Sequence, residues 1–168
     1  MNTLLVAASA AIESGNLLVR SLAVLVSSML PFIENKGAML LGAGLKLKWY
    51  LSYALTTVGS YSPVPLLLKM KKHMPGAKEP RSRLLRKAHA VLERHEGTIR
   101  KYGPPALFLC VCIPFTGVGC WIGAMLARLT DMDEKRAALA IFCGTLVSGL
   151  ITMLGVYGLV GGLQYLLR

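Results

Sequence analysis

Met29-Leu30-Pro31-Phe32-Ile33-Glu34-Asn35-Lys36-Gly37-Ala38-Met39-Leu40 places a proline, an acid, an amide and a base in the middle of apolar sequence. A second passage follows the same plan: Ile113-Pro114-Phe115-Thr116-Gly117-Val118-Gly119 leads on to Gly123-Ala124-Met125-Leu126. Each copy is trailed by another apolar run with a small-residue pair, Gly59-Ser60 in the first and Gly144-Thr145 in the second, at an offset of about 85 residues. Proline removes a backbone donor and breaks a helix. Duplicated apolar units broken at their centres point to a transporter-like binding site near the bilayer midplane.

Composition agrees with a bilayer setting. The chain has 168 residues, of which 54% are hydrophobic and only 16% charged, whereas a soluble domain runs near a quarter charged. The formal charge is +11, yet eleven of the nineteen basic residues lie between Lys69 and Lys101, opposed only by Glu79, Glu93 and Glu96. A basic loop beside membrane spans marks the cytoplasmic side, and anionic headgroups attract it. Nucleic-acid binding is not expected, because no aromatic residues interleave with the charge.

The segment from Met1 to Ile12 contains Ala8-Ser9-Ala10 but lacks a basic region ahead of its short apolar stretch. It reads as a retained helix start at or in the membrane rather than a cleaved signal. Cys110, Cys112, Cys120 and Cys143 all lie in apolar sequence, while His73, His89 and His95 lie in the basic loop. Metal-ligand spacing is therefore missing and the cysteines read as small fillers at helix contacts. No metal or cofactor is called for.

A helix needs about twenty apolar residues to cross a hydrocarbon core of roughly 30 Å. Tyr50 to Leu68 and Ala137 to Val160 meet that length. The arms Leu17 to Leu30 and Gly37 to Leu45 do not, rising about 21 and 14 Å. Pro104 to Ile113 and Cys120 to Leu129 repeat the pattern on either side of Pro114, Gly117 and Gly119. Two half-depth arms joined at a proline corner form a re-entrant hairpin; one kinked span per copy is the alternative. The hairpin reading is preferred because Glu34, Asn35 and Lys36 on a lone kinked span would sit among lipid tails.

The expected fold is thus an all-α integral membrane protein, an inverted repeat of two units, each a re-entrant helical hairpin plus a transmembrane helix. Its parts within one membrane domain, 1–168, are an N-terminal segment (1–16), the first hairpin plus span (17–68), a basic cytoplasmic loop (69–101) and the second hairpin plus span (102–162). Ser82 precedes Leu84, Leu85, Ala88, Val91 and Leu92 at helical spacing with basic residues between. That pattern predicts an interfacial amphipathic helix, with Gly97 and Gly103 flanking its exit. Asp131, Asp133 and Glu134 are placed to cap the last span, and Pro63-Val64-Pro65 should kink the earlier one.

Glu34 is the only acid inside an apolar unit rather than at its margin. A charge there costs on the order of 3 kcal/mol, so such residues usually face a cavity and mark an ion or substrate path. Lys36, two residues on, would tune it; a structural ion pair between the two is the rival reading. Asn35, Ser60, Thr116 and Thr145 are polar groups at breaks or on spans, suited to interhelical hydrogen bonds or to ligand contact. Pro31, Pro114, Gly117 and Gly119 form the corners that would line the pathway. No paired carboxylate and no nucleophile with a base is evident, so an enzyme is not expected.

Met29 to Ala38 resembles the opening signature of the bacterial small multi-drug export protein family, in which a proline is followed by Glu-x-Arg-Gly-Ala. Lys101-Tyr102-Gly103 and Ile113 to Gly119 are similar to that family's second block. The resemblance runs from about Leu17 to Gly158. It implies an architecture related to the DedA superfamily, whose members carry two re-entrant hairpins and are implicated in proton-dependent transport and in moving phospholipid or polyprenyl phosphate. Glu34 matches the acid of the first hairpin and Lys36 stands where the export family has arginine. Val111 and Gly117 occupy positions where DedA proteins place arginines, which leaves a phosphate headgroup without its deep cations.

Three functions follow as expectations. The first is a multi-pass bacterial inner-membrane secondary transporter, proton-coupled through Glu34 and Lys36, exporting a small molecule or cation. The second is a DedA-like lipid or polyprenyl-phosphate translocase, and the third a structural or assembly membrane protein. The expected partners are membrane lipids, protons or small cations, an unidentified small-molecule or lipid substrate, and a second copy in a homodimer.

Overall fold

The computed structural model describes residues 16–69, 83–114 and 118–166. Among them eight helices occur and no strand: α1 Leu17–Ser28, α2 Glu34–Gly44, α3 Trp49–Tyr61, α4 Val64–Lys69, α5 Arg83–Tyr102, α6 Pro104–Cys112, α7 Cys120–Leu129 and α8 Glu134–Leu166. They divide into two compact units, Met1–Ser60 with Gly149–Arg168, and Tyr61–Ser148. The boundaries fall at the last residue of α3 and inside α8.

In the first unit, α1 starts at Asn16, whose side chain accepts the Leu18 N–H at 3.0 Å. The helix stops at Ser28, ahead of Pro31, and α2 returns beside it, with Val24 of α1 packed in one cluster with Ala38 and Leu45. Arg20, an odd residue for an apolar arm, donates from Nη1 to the Leu45 carbonyl at 3.4 Å. Its charge thereby sits at the electronegative end of α2 and fixes the two helices as antiparallel.

In the second unit, α6 and α7 form the corresponding pair. Gly103, at φ +56°, turns the chain out of α5, and Pro104 and Pro105 open α6 where no backbone donor is needed. Asp133 caps α8: its Oδ1 accepts the Arg136 N–H at 3.0 Å and its carbonyl accepts Ala137 N–H at 2.9 Å. The expectation of an acidic cap on the last helix is met by this one residue.

The sequence match between the two passages is accompanied by a match in backbone geometry at two helix ends. The helix α2 ends with Lys46 at φ +54° and Leu47 N–H bonded to the Gly42 carbonyl; α7 ends with Asp131 at φ +51° and Met132 N–H bonded to the Ala127 carbonyl. Lys46 and Asp131 also donate to Ala43 and Arg128, completing the same left-handed, doubly bonded C-terminal motif twice. The small pairs match as well. Gly59 lies against Leu25 and Ser28 of α1, and Gly144 lies against Phe108 and Val111 of α6, so each trailing helix approaches the first arm of its hairpin through a glycine.

Two expectations are corrected. Tyr50 to Leu68 is not one span: α3 ends at Tyr61, the chain turns at Ser62 and Pro63, and the six-residue α4 follows. Pro63 and Pro65 each lack a donor, which ends the helix rather than kinking it. The amphipathic helix is longer than Leu84 to Leu92, running through Gly97 to Tyr102. Its apolar stripe, Ala88, Leu92 and Ile99, is packed into the core of the second unit. Spacing announces an apolar face without saying whether lipid or protein covers it.

The two interiors differ. The second unit has a continuous apolar core around Leu107, Val111, Leu126 and Ile141. Of the eleven buried polar side chains among the described residues, nine lie in the first unit.

Candidate functional site

That polar interior is built from three elements of the first unit. On α3, Ser52, Thr56 and Ser60 recur every four residues and so share one buried face. Thr56 Oγ1 donates back to the Ser52 carbonyl at 2.8 Å, and Ser60 Oγ donates across to the Ser28 carbonyl at 3.2 Å. Those bonds satisfy hydroxyls that burial would otherwise penalise.

At the head of α2, Glu34 is 8% exposed and Asn35 3%. The Glu34 backbone has φ +44°, a left-handed conformation that a side chain with a Cβ adopts at a cost of order 1 kcal/mol. A carboxylate is thus held, against backbone preference, in the interior of a hydroxyl-rich unit.

The third element is α8 at Gly149. A Cβ there would lie 3.1 Å from Tyr53 Cε2, 3.5 Å from Thr57 Oγ1 and 3.6 Å from Asn35 Nδ2. The amide of Asn35 and the hydroxyl of Thr57 therefore approach the same glycine, whose missing side chain lets them pack closely against α8. Thr57 Oγ1 is buried and has no hydrogen-bond partner. An amide and a hydroxyl with unused capacity thus meet in the interior of the first unit, and Glu34 precedes Asn35 in the chain.

The other anticipated residues fall as follows. Pro31 lies in the turn between α1 and α2, and Lys36 is half-buried on α2. In the second unit, Pro114 follows α6, and Gly119 is buried at the start of α7. Thr145 is buried on α8, where its Oγ1 donates to the Ile141 carbonyl at 2.7 Å and lies 3.0 Å from Cys120 Sγ. Thr116 and Gly117 lie outside the described residues. Val111 is buried and packed against Gly123 and Gly144. Ser52, Thr56, Thr57 and Gly149 were not anticipated; the four-residue recurrence of hydroxyls along α3 was the available signal.

Outward-facing apolar residues complete the description. Leu139, Leu150, Ile151, Leu154 and Leu159 are exposed along α8, whose Glu134–Leu159 portion is long and apolar enough to cross a bilayer. Buried and exposed residues alternate along it, and the exposed ones include these five large aliphatic side chains. Among the described residues this is the one helix with the length and apolarity to cross a membrane, and the chain as described is all-helical. The chain belongs to the small multi-drug export protein family, whose model matches residues 34–151. No curated protein and no solved structure matches the chain.

Proposed function

We propose that the protein is a multi-pass exporter of the bacterial inner membrane, coupled to protons through Glu34. The family membership supports export at a coarse level. The observation that carries the finer reading is Glu34 itself: a buried acid, on a strained backbone, beside Asn35 in a unit whose buried side chains are mostly polar.

Glu34 alternates between a protonated, neutral state and an ionised state. Neutral, it is tolerated at membrane depth; ionised, it requires hydrogen-bond donors or a cation nearby. A cationic substrate supplies that charge. Proton and cation therefore compete for one carboxylate, which is the minimum needed for exchange across a membrane. The half-depth hairpins, with Pro31 and Pro114 at their corners, belong to the same proposal, because non-helical backbone at depth is tolerated where it lines a water-filled path.

The test is flux. Purified protein reconstituted into liposomes carrying a pH-sensitive dye should release an imposed proton gradient when an organic cation is added, and Glu34→Gln should abolish that release while eluting as a folded species. Undiminished proton release in Glu34→Gln overturns the reading.

A further inference from the structure

Within the second unit a groove of about 670 Å³ opens between α5 and α6. That volume lies in the range of roughly 300–1,000 Å³ usual for sites that hold organic ligands. Its α5 wall is formed by Lys87, Val91, Arg94 and Thr98, spaced three or four residues apart along one helix face. Lys87, Arg94 and Thr98 are exposed, whereas Ala88 is consumed in core packing and Ile99, also in the core, forms part of the groove floor.

The opposite wall belongs to α6 and is apolar. Leu109 and Ile113 are 57% and 53% exposed there, with the half-buried Cys110 between them. One side of the groove is cationic and the other is bare hydrocarbon. A free inorganic anion would satisfy the first and leave the second uncovered, while an apolar molecule would do the reverse. An amphiphile with an anionic head meets both. Tyr102, exposed at the end of α5 with Lys101 Nζ 5.3 Å from its ring centroid, is the kind of residue that sits at headgroup level.

We propose that this groove binds an anionic phospholipid, its phosphate held by Lys87 and Arg94 and an acyl chain laid along Leu109, Cys110 and Ile113. The complementarity is of charge and of shape: the segment bearing the two cations is the most basic of the chain, and juxtamembrane cations of this kind attract anionic headgroups. The role is binding, not transfer between leaflets. It is independent of the export reading, since it uses none of Glu34, Asn35 or Thr57.

Native mass spectrometry of the full chain in detergent, titrated with phosphatidylglycerol or phosphatidylcholine, tests it. Phosphatidylglycerol should bind preferentially. Lys87→Ala with Arg94→Ala should weaken it about thirty-fold, the effect of two headgroup-facing cations. Arg86→Ala with Lys135→Ala, which removes as much charge from outside the groove, should change it by less than about threefold. Ala90→Trp, at an exposed position lining the groove, should also block the lipid. Equal losses in the two double variants would show diffuse surface attraction and overturn the site. So would equal binding of the two lipids, or displacement by inorganic phosphate with Ala90→Trp having no effect.

Discussion

The Tyr157 hydroxyl lies 2.6 Å from Ser52 Oγ, joining α8 to α3 between residues 105 positions apart. Tyr157 also donates to the Leu47 carbonyl at 3.0 Å, so its single proton is committed and Ser52 is the donor in the shared bond. The carbonyl lies in the turn after α2, and Gly42 of α2 lies against both hydroxyls. One phenol therefore ties three helices of the first unit. Tyr157→Phe should destabilise the protein by about 1 kcal/mol, in the range measured for single interhelical hydrogen bonds. Unfolding in mixed micelles would show it, and in a double-mutant cycle with Ser52→Ala the two losses should not add.

The glycines that bring trailing helices onto the hairpins should be intolerant of a methyl group. In Gly59→Ala the new Cβ would meet Ser28 Oγ and also the Leu25 carbonyl, which is backbone and cannot rotate away. A loss of about 1–3 kcal/mol is expected, as for other overpacked contacts. Gly144→Ala, crowding Val111 and the Phe108 carbonyl, should behave alike. Gly155→Ala is the control, with nothing within 4 Å, and should stabilise α8 by up to about 1 kcal/mol. Thermal unfolding of the three variants side by side checks the order.

Backbone strain and charge at position 34 should separate. Glu34→Asn and Glu34→Gly both suit a left-handed residue, while Glu34→Gln keeps the straight-chain penalty. The Gly and Asn variants should therefore unfold about 1 kcal/mol harder than Gln, yet all three should lack proton-coupled flux. A Gln variant as stable as Asn would show that the conformation is not strained.

How far the sequence reached can be traced through particular residues. Pro31 announced the turn between α1 and α2, while the passage that follows Pro114 lies in part outside the described residues. Helix ends were legible where a side chain makes the cap, as at Asp133. Gly97 was misread because a glycine inside a helix looks the same as one that ends it, and only Gly103 has the positive φ. The polar interior of the first unit was harder to see: Ser52, Thr56 and Thr57 sit singly among apolar neighbours, and a hydroxyl that bonds its own helix looks like one that binds a ligand. Gly149 carried no signal at all. Its meaning depends on Asn35 and Thr57, which are adjacent to it only after folding.

The Glu134–Leu159 portion of α8 is 26 residues long, or about 39 Å, against a hydrocarbon core of about 30 Å. Glu134, Lys135 and Arg136 open it and belong at headgroup level when the helix crosses a bilayer. The surplus left for tilting or stretched lipid is therefore that of the apolar part from Ala137, about 35 Å long. Membrane thickness thus becomes a mechanical variable for this protein: in short-chain lipids the helix must lean further, and in long-chain lipids it can stand upright. The bilayer acts on it as a load as well as a solvent.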